Sequence, residues 1–114
     1  MTPDPASDPT AAASDAERRI VDVVMALGPG EVVSYGDVAA IATGRRHARL
    51  VGRVLRDTDA EVPWWRVVRA DGRLAAGDGR EQATLLRAEG VVVRSGRVVD
   101  APDGRFAGVR RPGS

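Results

Sequence analysis

The chain reads as an α+β, mostly helical domain: winged-helix-like, with a helix-turn-helix and short β-hairpins. Three observations predict this. Apolar residues recur at helical spacing through the first half, and Thr43-Gly44 separates two short helical segments there. In the second half, Asp71-Gly72 and Ser95-Gly96 punctuate valine-rich runs. A length of 114 residues supports one core and not two.

The elements follow in order. Met1 to Ser14 holds three Pro and four Ala and no large aliphatic residue after Met1, too little apolar area to offset ordering, and predicts a disordered tail over 1–14. Ser14-Asp15-Ala16-Glu17 fits a capping box for a helix whose inner face is Ile20, Val23, Val24 and Leu27, ended by Gly28-Pro29-Gly30. Ser34 caps a second helix from Tyr35, with Val38, Ala39 and Ile41 inward. Thr43-Gly44 then turns into a third, from Arg45 to Asp57. Trp65 to Arg69 is strand-like before the Asp71-Gly72 hairpin signal. Asp78 caps a helix through Ala88 that Gly90 closes. Val91–Val93 and Arg97–Val99 form a terminal hairpin, and residues 102–114 read as a flexible basic tail.

Composition narrows the chemistry. The chain contains no Cys, which excludes disulfides, zinc ribbons and cysteine nucleophiles together. The start lacks the basic-then-apolar pattern of a secretory signal and no apolar run is long enough to span a bilayer, so a cytoplasmic protein is expected. No metal-ligand spacing appears, and a monomer without cofactor or metal is expected. All 17 basic residues are Arg. Residues 1–44 carry two of them against seven acids, whereas residues 45–114 carry fifteen against nine. Charge partition is therefore the signal, and guanidinium groups bind phosphate in bidentate fashion.

That charge concentrates on the third helix. Arg45, Arg46, Arg49, Arg53 and Arg56 fall within twelve residues that hold no acid. At helical spacing Arg46, Arg49, Arg53 and Arg56 share one face, opposite Ala48, Val51 and Leu55. A solvated helix face is the ordinary reading of such a run. Uncompensated repulsion between neighbours argues instead for an external anion, and duplex DNA supplies one. His47, the only His, is a phosphate contact or a bystander.

Four motifs then occur in a fixed order: Ser34-Tyr35-Gly36, Ala48-Arg49-Leu50-Val51-Gly52, Pro63-Trp64-Trp65-Arg66-Val67-Val68 and Leu85-Leu86-Arg87-Ala88-Glu89-Gly90. Over residues 17–93 they resemble the DNA-binding domain of the O6-alkylguanine-DNA alkyltransferases. In those enzymes the tetrapeptide is Pro-Cys-His-Arg, its Cys accepts the alkyl group, and a Glu orients the His that activates the thiol. Here Trp64 and Trp65 stand at the nucleophile and base positions. Neither indole attacks carbon or shuttles a proton near neutral pH, so alkyl transfer is absent. Glu89 matches the orienting acid and has no His to orient. The pattern is similar to the alkyltransferase-like proteins, which have Trp at the Cys position and recognise damage without transfer, although their second residue is His.

What the resemblance implies is a non-enzymatic sensor of O6-alkylguanine in double-stranded DNA. It binds through the minor groove, flips the base into a pocket, and directs the lesion to nucleotide excision repair proteins. Arg49 would fill the gap in the stack, with Tyr35, Arg45, Arg46, Arg53 and Arg56 on DNA. The pocket would comprise Tyr35, Trp64, Trp65, Arg66, Val67 and the Ala75, Ala76 and Gly77 loop, whose small side chains leave it open. Two adjacent Trp admit two readings: Trp65 packs in the core while Trp64 alone lines the pocket, or the pocket itself is remodelled. Arg66 reads more readily as a structural ion-pair former than as a ligand. Gly52 suits close approach of a neighbouring helix. The rival function is a sequence-specific helix-turn-helix regulator reading the major groove.

Overall fold

The computed structural model describes residues 9–75, 77 and 79–107, with side chains from residue 15 onward. The elements are α1 (Pro9–Met25), β1 (Glu31–Ser34), α2 (Tyr35–Thr43), α3 (Ala48–Asp57), a 3-10 turn at Trp64–Arg66, β2 (Val67–Val68), α4 (Arg80–Ala88), β3 (Val92–Arg94), β4 (Arg97–Asp100) and β5 (Asp103–Gly104). The fold is a mostly helical α+β domain.

α1 starts at Pro9, so Ser14 lies inside the helix and not at its cap. Proline suits the first turn, where its missing N–H costs nothing. The remainder of the expected N-terminal tail, residues 1–8, lies outside the described residues. Ile20 and Val24 are fully buried on the inner face of α1, with Leu27 beyond its end. Ser34 caps α2 through a reciprocal box: its hydroxyl accepts from the Asp37 N–H at 3.0 Å, and Asp37 accepts from the Ser34 N–H at 3.1 Å. Gly44 ends α2 in the left-handed conformation at φ 78°. The face buried by α2 is Val38, Ala39 and Ala42, so Ile41 points outward and is 69% exposed, contrary to the inward placement its spacing suggests.

β1 is the centre of a three-stranded sheet in the order β2-β1-β5, parallel to both neighbours. Val33 pairs with Val67 and Ser34 with Val68. Because side chains alternate along a strand, this narrow sheet divides the interior. Val33 and Val67 join Ile20, Val24, Val38, Val51 and Val54 in one cluster under the three N-terminal helices. Val32 and Val68 join Leu86, Val91, Val93, Val98 and Phe106 in a second, beneath α4 and the β3–β4 hairpin.

Three expectations are corrected here. Trp65 is not in a strand: the Arg66 N–H bonds to the Pro63 carbonyl at 3.1 Å, closing a 3-10 turn, and only Val67 and Val68 are extended. Those two valines are buried on both faces and pair in parallel with β1. Asp71-Gly72 makes a tight turn closed by the Arg69 N–H on the Arg73 carbonyl at 3.0 Å, but no strand after it pairs with β2; Arg73 instead bridges Arg97. α4 is preceded by Gly79 at φ 82°, with no side-chain cap, and Asp78 lies outside the described residues.

The expected basic tail is also structured over its first part. Asp103 and Gly104 pair with Glu31 and Val32, and Phe106 is buried. Gly104 is required at this contact. Its φ is 83°, and a Cβ there would lie 2.5 Å from the Val32 carbonyl oxygen. Residues 108–114 lie outside the description.

Candidate nucleic-acid interface

A groove of about 940 Å³ opens between α3, the 3-10 turn and the loop before α4. Its lining includes Ala48, Arg49, Gly52, Arg53, Leu55 and Arg56 from α3. Tyr35, Trp64, Arg69, Ala75, Gly77 and Glu81 complete it. Four arginines against one glutamate make the lining strongly cationic.

α3 begins at Ala48 and not at Arg45. The Thr43 hydroxyl accepts from the Arg45 N–H at 3.2 Å and holds that residue in the turn. Arg45 and Arg46 therefore precede the helix, and Arg46 pairs with Asp37 at 3.2 Å instead of continuing the α3 face. His47 occupies the N-cap without a side-chain bond and is exposed. Val51 and Val54 are the buried residues of the helix, whereas Ala48 is exposed and faces the groove. Gly52 also faces it. No atom comes within 4 Å of the position its Cβ would take, so Gly52 does not serve close packing with a neighbouring helix.

The paired tryptophans separate cleanly. Their ring centroids are 6.0 Å apart with planes at 86°, an edge-to-face arrangement. Trp64 packs against the helical cluster and lines the groove. Trp65 packs against the second cluster, away from it. Adjacent residues reach opposite sides because the chain turns there, not because they alternate along a strand. Trp65, Arg66 and Val67 consequently do not line the groove: Val67 is fully buried core, and Ala76 lies outside the described residues.

Glu89 is not left idle. Its carboxylate accepts from the Trp65 indole N–H at 2.8 Å, the Gly30 N–H at 2.8 Å, and Arg66 Nη2 and Nε at 2.7 and 3.0 Å. Arg66 also donates to the Leu27 carbonyl at 2.7 Å, and its guanidinium carbon lies 5.3 Å from the Trp65 ring centroid. Burial pushes the Glu89 pKa up, but hydrogen bonds from Arg66, Gly30 and Trp65 and the Arg66 charge outweigh it and hold the carboxyl below its usual range. An ionised Glu89 clamps α1's exit, the 3-10 turn and α4 together. Trp65 uses its one polar hydrogen in that clamp and offers no base.

Three participants had weak signals in the sequence. Gln82 is buried and donates to the carbonyls of Trp65 and Val67 at 3.1 and 3.0 Å, while its side-chain oxygen accepts from the Ala75 N–H at 3.2 Å. It thus fastens both walls of the groove to α4. Arg69, only three residues after Arg66, adds a cation to the groove; nothing but its place in the strand-like run marked it. Leu55 adds an apolar contact there. Burial raises the Tyr35 pKa, with the Arg69 charge opposing, so its phenol is neutral at physiological pH. The groove thus combines a neutral hydroxyl, an indole and four guanidinium groups. Among the described residues it holds no nucleophile with a neighbouring base, and no cluster of acids and His could hold a metal.

The sequence model of the 6-O-methylguanine DNA methyltransferase DNA-binding domain matches residues 15–91. The chain belongs to this family, among its alkyltransferase-like members. The alkyltransferase-like chain is 39% identical over 87 residues to the DNA base-flipping protein of Escherichia coli K12, covering 73% of its own length and 67% of that protein. It is similar to the crystal structure of S. pombe Atl1 in complex with damaged DNA containing O6-carboxymethylguanine: TM-score 0.64, 26% identity, 71% of this chain and 81% of that one. A third likeness is to the Mycobacterium tuberculosis O6-methylguanine methyltransferase, TM-score 0.59 and 29% identity over 66% of this chain and 48% of the enzyme. Among the described residues, no helix of the alkyltransferase-like chain is long and apolar enough to cross a membrane.

Proposed function

We propose that the chain is a non-enzymatic sensor of O6-alkylguanine in duplex DNA, acting as a monomer at the nucleoid in the cytoplasm. The observation that carries this reading is the groove itself. Trp64 forms a wall where the resembling enzymes place their nucleophile, and Arg49, Arg53 and Arg56 of α3 line the same groove. The base-flipping name of the Escherichia coli relative and the damaged DNA bound to Atl1 support it.

In this mechanism α3 enters the minor groove, and Gly52 and Ala48 allow its backbone close to the DNA. Arg49 takes the space vacated in the stack. The extruded base enters beside Tyr35, against the Trp64 face and the loop containing Ala75 and Gly77. Tyr35, as a neutral phenol, donates or accepts a hydrogen bond there. Extrusion costs a few kcal/mol and is cheapest for a weakened pair, which favours a damaged guanine. Among the described residues of the groove, no nucleophile has a base beside it to activate attack on the alkyl carbon. The bound complex therefore persists and hands the lesion to nucleotide excision repair.

Arg49→Ala tests the reading. It should weaken binding to a duplex containing O6-methylguanine at least tenfold, while Arg94→Ala on the distant hairpin leaves it unchanged. Equal effects of the two substitutions would remove Arg49 from the mechanism. Mass spectrometry after incubation should find the protein unmodified, and a stoichiometric alkyl adduct would refute the non-enzymatic assignment.

A further inference from the structure

The family match ends at residue 91, yet the chain continues in an ordered path to residue 107. This extension places a guanidinium beside α2. β5 is fixed by its pairing with β1, by Gly104 against Val32, and by the Arg105 N–H bonding to the Val32 carbonyl at 2.9 Å. From that anchored backbone Arg105 Nη1 reaches Asp37 Oδ1 at 2.9 Å. Arg46 Nη2 reaches the same oxygen at 3.2 Å from the opposite direction in sequence, out of the α2–α3 turn.

Two guanidinium groups thus converge on one carboxylate oxygen. The Asp37 carboxyl is held below its usual range: burial raises its pKa, but bonds from Ser34, the Arg105 charge and a hydrogen bond from Arg46 more than offset this. One negative and two positive charges leave the cluster in excess by a single cation. Both arginine side chains remain substantially exposed, at 58% for Arg46 and 41% for Arg105, and each guanidinium has five N–H donors, more than its bond to Asp37 uses. The cluster stands at the first turn of α2, whose dipole also favours an anion. It adjoins the groove as well. Tyr35 lines the groove, and a Cβ on the next residue, Gly36, would lie 3.1 Å from Arg46 Nη2.

We infer that Arg46 and Arg105, bridged by Asp37, form a clamp for one backbone phosphate of the duplex beside the groove. Arg105 comes from the turn after β5, beyond the residues that the family model matches. The inference rests on the DNA-binding reading above. Asp37 sets the spacing of the two forks, and the phosphodiester neutralises the charge that one carboxylate leaves over. Such a contact contributes affinity and orientation without discriminating between damaged and normal bases.

The test is the salt dependence of binding to two matched duplexes, one with guanine and one with O6-methylguanine. Arg105→Gln should weaken both to the same degree and reduce the slope of log K against log salt by about 0.9, the value for one phosphate. Arg105→Lys, which keeps the charge, should restore the slope. Arg94→Gln serves as the control and should change neither quantity. A slope unchanged by Arg105→Gln, with the parent protein binding normally, would overturn the clamp and leave the sensor reading intact. Absence of any duplex binding by the parent protein would overturn both. The Arg105 backbone bond to Val32 persists in each variant, so the fold is retained, and thermal melting checks this.

Discussion

Removing Glu89 should cost more stability than removing any other surface-accessible carboxylate. Its side chain and that of Arg66 are only 13% and 12% exposed, and it is the acceptor for Arg66, Trp65 and the Gly30 backbone. Truncation to Ala strands a largely buried guanidinium, a loss of about 3–5 kcal/mol. The Leu27 carbonyl still accepts from Arg66, which limits the damage. A total near 4 kcal/mol is expected, against the roughly 5–15 kcal/mol that stabilises a domain. Glu89→Gln keeps a neutral acceptor and should cost about half as much. The pH dependence has a definite sign. Because the folded pKa of Glu89 is lowered, its stabilisation is present above the unfolded carboxylate pKa and is lost as pH falls through the folded value. The Gln variant lacks this titration, so its deficit relative to the parent should shrink on acidification below about pH 4. Urea unfolding followed by tryptophan fluorescence measures both quantities. A cost under about 1 kcal/mol for Glu89→Ala near neutrality, or a Gln deficit that is constant with pH, would refute the clamp as the link between the helical cluster and α4.

Two glycines should respond oppositely to a methyl group. Gly104→Ala places a Cβ against the Val32 carbonyl at positive φ and should lower stability by about 2–3 kcal/mol in urea unfolding. Gly52→Ala meets open space on a helix and should raise stability by up to about 1 kcal/mol, while weakening duplex binding because that space faces the groove. Trp64→Cys should acquire no alkyl adduct on incubation with O6-methylguanine DNA, as read by mass spectrometry. Its neighbour Trp65 donates to Glu89 and cannot deprotonate the thiol. The double variant Trp64→Cys with Trp65→His, which restores a base beside Glu89, should transfer faster than the single one.

The helical half of the fold was legible because its signals are local. Ser34 and Asp37 form a box within four residues, and Gly44 must take positive φ to end α2. The sheet was not, because its strands are two to four residues long and pair in parallel across large separations. Val67 and Val68 are buried on both faces, so they carry no alternation to read. β5 hides in a Pro- and Gly-rich stretch whose composition resembles a tail, and only the contact with Val32 fixes it. The start of α3 was misread because Arg45 and Arg46 suit a helix intrinsically, and the Thr43 hydroxyl overrides that preference. At the groove, residue chemistry read Trp64 and Trp65 as unable to attack carbon or to take a proton. It treated Glu89 as a leftover, since an indole donating where an imidazole is expected leaves no trace in spacing. Gln82 went unnoticed because a lone glutamine on an amphipathic helix looks solvated, whereas here it is 1% exposed.

The central claim concerns what the groove distinguishes. Titrating the protein at fixed salt against two duplexes identical but for guanine or O6-methylguanine at one position addresses it directly. Tighter binding to the methylated duplex, lost in Arg49→Ala, is the expected result. Equal affinity for the two duplexes would contradict a damage sensor, and affinity that instead followed the surrounding base sequence would establish a regulator in its place.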